Sequence, residues 1–371
     1  MKITGIRIKR LRSRLAPPFH AAWDPTPRAV FDATLVFVDT DEGITGVGSG
    51  DDMRGFSGYE HLFVGENPLA IGRHVRVLET INFHAGRCWP LEAALWDIFG
   101  RVCGQPVATL FGGSVERIPA YASCGESKPP GERAESALAL REEGFRAIKL
   151  RIDRQRIEEG IKTVEAVREA VGDSMEIMAD LNQAWRMPGD ISRGTDVAEA
   201  WWVARRLRDL DVFWLEEPLP LADSSGLSSL RKGTGMRVAG GEMARTTGEL
   251  LACLEADALD VYQPDVVLAV GMMRSRMIAE LAMERGRLFT PHTWTNGLGL
   301  LANLHVAAGV GGGPYLEFPY DPPGWTPERR DFMLAEPLKI DADGCLAVPD
   351  RPGLGVVLDE DALRSLDAGS V

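Results

Sequence analysis

The chain has 371 residues, 45% hydrophobic and 26% charged, which suits a globular protein with a large core and, at this length, about two domains. Its formal charge of −13, from 54 acids against 41 bases, argues against non-specific nucleic-acid binding and against attraction to an anionic membrane surface. No apolar run approaches the roughly 18 to 20 residues that span a bilayer. The five scattered cysteines (Cys88, Cys103, Cys124, Cys253, Cys345) form no CxxC pair, which argues against a disulfide framework or zinc-thiolate site and for a reducing cytoplasm.

In chain order, Met1–Lys9 ("MKITGIRIK") alternates like a strand and does not read as a leader. Residues 2–14 and 31–49 are expected as antiparallel strands, with a hairpin turn at Asp41-Glu42-Gly43. From about 55 to 112 the pattern is helical. There "WPLEAALWDIFGRVCG" places Leu91, Ala94, Leu95, Ile98 and Phe99 on one stripe and stops at Gly104. From about 117, eight short apolar strands alternate with amphipathic helices: "IPAYASCG", "AIKLRI", "EIMADL", "VFWLEEP", "RVAGGE", "LDVYQPD", "RLFTPH" and "PYLEF". That alternation predicts a parallel α/β array long enough to close into a barrel. The tail from about 335 returns to strand and turn and is expected to rejoin the N-terminal region.

The second of these strands poses a problem. In "FRAIKLRIDR", Lys149 and Arg151 alternate with Ile148, Leu150 and Ile152, so a strand buried on both faces aims two cations inward. The ends of the next strands supply the answer. Asp180 in "MADLNQAW", Glu216 in "WLEEP" and Glu242 in "AGGEM" bring acids to one rim of the array, where functional residues collect. Any one acid could simply cap the following helix. Three in consecutive strands repel one another unless a cation lies among them, and hard oxygen ligands suit Mg²⁺. By alternation Glu217 turns away from the face that Glu216 shows.

The sixth strand ends at Gln263-Pro264-Asp265, the seventh at His292 and the eighth at Glu317. Asp265 beside His292 makes a carboxylate-oriented imidazole, the arrangement of a general base near neutral pH. A lone histidine at a strand end is more often structural, and the other five lack such company. No G-x-G-x-x-G or G-x-x-x-x-G-K-[ST] occurs at a strand–helix turn, which disfavours nucleotide chemistry.

Together these motifs resemble the mandelate racemase subgroup of the enolase superfamily over nearly the whole chain. The resemblance implies an α/β fold, a modified TIM barrel of (β/α)7β type at 117–330. An α+β capping domain would come from 1–116, with 331–371 returning to it. It implies one Mg²⁺ per active site, held by Asp180 ("DLN"), Glu216 ("EEP") and Glu242 ("GGE"). It makes Asp265 ("QPD") and His292 ("TPH") the base dyad, and Glu317 ("LEF") a hydrogen-bond donor to the substrate carboxylate. Family members abstract the proton beside a carboxylate and stabilise the enediolate.

One departure matters: the second strand commonly reads Lys-x-Lys in this subgroup, and in this chain it is Lys149-Leu150-Arg151. A lysine working as a base near pH 7.5 must fall about 3 pH units from about 10.4, roughly 4 kcal/mol. An arginine must fall at least about 5 pH units, roughly 7 kcal/mol, so Arg151 is expected to stay a fixed cation, although a few acid-sugar dehydratases of the superfamily use an arginine in acid/base chemistry. Losing one of two opposed bases disfavours racemisation and favours a one-base reaction.

The expected activity is dehydration of a small polyhydroxylated carboxylate to a 2-keto-3-deoxy acid. Cycloisomerisation of a sugar-acid lactone or anhydro ring, and racemisation or epimerisation, use the same site. A binding protein on a retired scaffold would show missing ligands or base, and none is missing. Lys149 would join the metal in binding the substrate carboxylate. His20, Trp23, Arg54 and Tyr59 in the capping loops, with Asn182 and Trp294, are candidate substrate contacts, though plain loop packing accounts for them equally. "AWRMPGDISRGTD", in the long gap between Asp180 and Glu216, is a candidate pocket wall. By analogy the chain forms a symmetric homo-oligomer.

Overall fold

The computed structural model describes residues 1–311 and 313–370. The alternating N-terminal segment forms an antiparallel sheet of β1 (Ile3–Phe19), β2 (Arg28–Thr40) and β3 (Thr45–Ser49). β2 and β3 flank the expected turn, with Asp39 opposite Thr45 and Leu35 opposite Ser49. β1 runs past the expected residue 14: after an irregularity beyond Arg14 it pairs again at Phe19 with Arg28, which draws the Pro-rich segment into the sheet.

Three helices follow, α1 (Ile71–His84), α2 (Trp89–Cys103) and the short α3 (Val107–Leu110). α2 stops at Gly104 in the left-handed conformation, a common glycine terminus. The single apolar stripe expected for α2 is not what forms. Every residue from Trp89 to Ile98 is buried, because the helix packs against both the N-terminal sheet and the barrel helix that follows Gly271. Its two buried acids are used as caps and ties. Glu92 accepts from the backbone N–H groups of Met272 and Met273, and Asp97 from those of Val47 and Leu354.

The eight expected barrel strands are all present: β4 (Arg117–Ser123), β5 (Ala147–Arg151), β6 (Glu176–Asp180), β7 (Trp214–Glu216), β8 (Val238–Gly240), β9 (Val261–Tyr262), β10 (Leu288–Phe289) and β11 (Leu316–Pro319). Seven helices connect them in turn: α4 (Pro130–Glu142), α5 (Ile157–Val171), α6 (Val197–Asp209), α7 (Ser224–Thr234), α8 (Thr247–Glu255), α9 (Met272–Met283) and α10 (Gly297–Val310). The strands lie parallel in the order β10-β9-β8-β7-β6-β5-β4-β11, the (β/α)7β arrangement.

Among the described residues no backbone ladder joins β10 to β11. Thr293 spans that seam, its N–H donating to a Glu317 carboxylate oxygen and its hydroxyl to the Glu317 backbone carbonyl. The tail first adds β12 (Cys345–Ala347) antiparallel to β4 and then β13 (Asp367–Ser370) to β1, so it ties both sheets rather than the N-terminal one alone. No helix among the described residues is long and apolar enough to cross a membrane.

β3 lies almost on the backbone of α2. A methyl group on Gly48 would meet the Pro90 carbonyl oxygen at 2.1 Å and the Ala94 nitrogen at 2.7 Å. Gly48→Ala is therefore expected to destabilise the protein by about 1–3 kcal/mol in urea unfolding. An unchanged midpoint would contradict this close approach.

Candidate active site

Strand alternation builds the site in two layers. Tyr121, Ala147, Met178, Trp214, Ala239 and Val261 form an apolar cluster inside the barrel. Two residues further along each strand, the same inward direction carries Ser123, Lys149, Asp180, Glu216 and Gln263, all buried. Glu242 arrives differently. β8 ends at Gly240, and Gly241 at φ +106° turns the chain so that Glu242 reaches the same space.

Carboxylate oxygens of Asp180, Glu216 and Glu242 lie within 4.8 Å of one another. Each has one side occupied by fixed donors. Asp180 accepts from the Asn182 backbone N–H at 2.7 Å, Glu216 from Trp214 Nε1 at 3.0 Å and Gln263 Nε2 at 2.9 Å, and Glu242 Oε1 from Trp185 Nε1 at 2.6 Å. Glu242 Oε2 is buried with no hydrogen-bond partner. An orphaned oxygen on one of three clustered carboxylates fits a cation, and an all-oxygen set suits a hard divalent ion. Burial pushes Glu216 and Glu242 above the usual carboxylate range and mutual repulsion adds to it, with Lys149 opposing for both. Glu217 lies outside the trio, at φ +45°, buried and with neither oxygen partnered.

Lys149 and Arg151 point inward as the alternation requires. Lys149 Nζ contacts Glu216, lies 2.8 Å from Glu317 Oε1 and 3.5 Å from Asp180 Oδ2. Arg151 pairs with Asp180 and donates to the Cys124 carbonyl and to Asn182 Oδ1. Its guanidinium stacks 4.6 Å from Trp23 and 5.6 Å from Trp294. Burial works against both charges, but the surrounding carboxylates outweigh it and hold both groups above their usual values. Both are therefore held in the charged form by the carboxylates around them.

His292 Nδ1 lies 3.0 Å from Asp265 Oδ2, while Nε2 faces Glu242 Oε2 at 3.6 Å. Asp265 is fixed in turn by the Val267 backbone N–H and the Asn303 amide. Burial alone would lower the imidazole, yet Glu242, Glu317 and Asp265 raise it to about 9. Toward its protein neighbours Glu317 is an acceptor. It takes hydrogen bonds from Ser123, Lys149 and the Thr293 backbone N–H. Burial would raise it, but Lys149, His292 and Arg151 hold it below the usual range and so ionised.

A pocket of about 110 Å³ opens over this layer, lined by Trp23, Arg28, Arg151, Asn182, Trp185, Met187, Glu242, Met243, His292 and Trp294. Of the residues expected to contact substrate, Trp23, Asn182 and Trp294 line this pocket, and His20, Arg54 and Tyr59 do not. His20 is exposed and only its backbone N–H reaches Glu126. Arg54 is exposed and paired with Asp52, and Tyr59 packs on the apolar core. The segment after Asp180 supplies Trp185 and Met187 to the wall. Arg28, Trp185, Met187 and Met243 are lining residues that the sequence did not single out individually. Arg28 follows directly on the Pro-rich stretch that holds Trp23, and it lies 5.8 Å from the Trp23 ring.

The folded value of about 9 for His292 lies above the ordinary 6.5, so the charged imidazole stabilises the metal-free fold below about 6.5. That contribution fades as pH rises through about 9. An NMR titration of the metal-free protein should show His292 losing its proton near pH 9, with Asp265→Asn or an added divalent cation lowering the midpoint. A midpoint that neither change moves would contradict an electrostatic origin for the shift.

Comparison with known proteins agrees with this geometry. Residues 132–362 match the family model described as enolase C-terminal domain-like. The chain is 30% identical to the D-galactarolactone cycloisomerase of Agrobacterium fabrum across 98% of both chains. It is 32% identical to the arabinonate dehydratase of Saccharolobus solfataricus over 72% of this chain and 68% of that protein. The crystal structure of a racemase from Streptomyces coelicolor A3(2) with bound magnesium superposes with a TM-score of 0.84, at 28% identity, over 99% of this chain and all of that one. With the barrel, the strand-end carboxylates and the Asp265–His292 pair in place, the chain belongs to the enolase superfamily, among its mandelate racemase-like members.

Proposed function

We propose that the protein is an Mg²⁺-dependent acid-sugar dehydratase that converts a small polyhydroxylated carboxylate to a 2-keto-3-deoxy acid. The observation that carries this reading is the meeting of base and ligand in one pocket. His292 Nε2 stands 3.6 Å from the unpartnered Glu242 oxygen, and both line the cavity with Arg151 and Asn182.

Asp180, Glu216 and Glu242 would hold one Mg²⁺, which supplies fixed positive charge beside the oxygens of the developing enediolate. Asp265 holds the imidazole so that Nε2 faces the pocket and takes the proton from the carbon next to the carboxylate. The electron pair left there forms the enediolate, and expulsion of the β-hydroxyl, protonated by His292 as water, gives an enol that becomes the 2-keto acid. Lys149 and Arg151 are charged before the reaction starts, so they favour the more negative transition state over the ground state. Glu317 keeps Lys149 in place. Residues 1–116 and 331–371 would act as the cap, with Trp23 and Arg28 contacting substrate at the mouth.

A second reading is cycloisomerisation of a sugar-acid lactone, favoured by end-to-end similarity to the cycloisomerase of Agrobacterium fabrum. It shares the proton abstraction and differs in the group that leaves. Incubating a library of sugar acids and their lactones with Mg²⁺, and assaying 2-keto acid, separates the two. His292→Asn and Glu216→Gln should each lose about 10²–10⁴-fold in turnover. Full activity in either variant would overturn the mechanism. Chelation should abolish turnover and added Mg²⁺ restore it, whereas activity that survives chelation would overturn the metal dependence.

A further inference from the structure

We infer that Trp185 is a positioning residue that fixes the third carboxylate of the cation site. This rests on the cation-site reading above. The loop after β6 reverses at Asn182, at φ +46°, and carries Trp185 back over the barrel mouth. There the indole N–H donates to Glu242 Oε1 at 2.6 Å. Tying one oxygen leaves the other, Oε2, as the free one, and that atom is the buried orphan facing His292 in a residue whose carboxylate belongs to the trio.

The loop that delivers Trp185 is itself pinned. Asp190 takes hydrogen bonds from Arg154, Arg186 and both the backbone N–H and hydroxyl of Ser192, while Gln155 donates to Ser192. Arg154 and Gln155 follow β5, so the loop is strapped to the neighbouring strand's exit. At the other end, Gln183 donates through its backbone N–H to the Glu217 carbonyl and accepts from the Thr195 N–H. A rigid strap converts one hydrogen bond into an orientation, the usual role of groups just behind metal ligands.

Trp185→Phe keeps a flat apolar wall and removes only the donor. Titration of the metal-free protein with Mn²⁺ by electron paramagnetic resonance, and with Mg²⁺ by calorimetry, needs no substrate. Cation affinity should fall about 10- to 100-fold in Trp185→Phe. Asp190→Asn, which loosens the strap while leaving Trp185 intact, should weaken it several-fold and keeps the test open if the first variant fails to fold. Wild-type affinity in a folded Trp185→Phe would overturn the assignment, as would wild-type affinity in Asp190→Asn if Trp185→Phe does not fold. A wild-type protein that binds neither ion at millimolar concentration would overturn both this inference and the cation-site reading on which it rests.

Discussion

Repulsion among buried carboxylates governs the upper half of the barrel. Asp180, Glu216, Glu242 and Glu317 are all buried at its mouth. Two unit charges about 4 Å apart interact with about 4 kcal/mol even at an effective dielectric constant of about 20. Lys149 and Arg151 offset part of that cost, and their positions follow from it: each is held by the acids that surround it. The remaining negative charge, with one Glu242 oxygen left without any donor, is what a divalent cation would balance. The apolar layer beneath limits how far the acids can relax, since Met178 and Trp214 precede Asp180 and Glu216 by two residues on the same inward face.

The N-terminal sheet domain reaches the same charges through its aromatic residues. Phe19 at the end of β1 and Trp23 in the connection to β2 join Trp294 and Trp325 in an aromatic cluster, with Trp23 and Trp294 only 4.7 Å apart. Arg151 stacks on two of these rings, so this strand cation is also one contact between the barrel and the N-terminal domain. Excluding water there strengthens every interaction within the pocket. Further away, Glu92 caps the N-terminus of α9 and Trp89 donates to the Ala269 carbonyl, fixing α2 against the loop that begins with Asp265. Burial raises Glu92 to about 7, which marks how deep this joint lies.

Much of this was legible from periodicity alone. Alternation in 147–151 forces Lys149 and Arg151 inward whatever the neighbours are, and acids just after apolar strand residues have to land at one rim. The departures have local causes. α2 lacks a polar face because it is covered on both sides, which a single-helix pattern cannot encode. Glu317 is held by Ser123, Lys149 and Thr293, which converge on it from three separate strands or loops, a convergence no single strand pattern encodes. Arg54 and Tyr59 sit in a loop whose path is set by packing and surface pairing rather than by any repeat. Trp185 escapes a strand-by-strand reading because its role depends on a loop folding back to another strand, although an N–H-bearing aromatic shortly after Asn182 was a usable signal.

The proposed role of this charge arrangement is removal of the proton beside a carboxylate through His292. Incubation with sugar acids and Mg²⁺ in D₂O, followed by NMR, reads that step whatever happens to the intermediate later. The account predicts that solvent deuterium enters at the α-carbon, or that the α-proton is lost with product formation, in the wild type and not in His292→Asn. Undiminished proton loss in His292→Asn, or product formed with the α-proton retained, would contradict it.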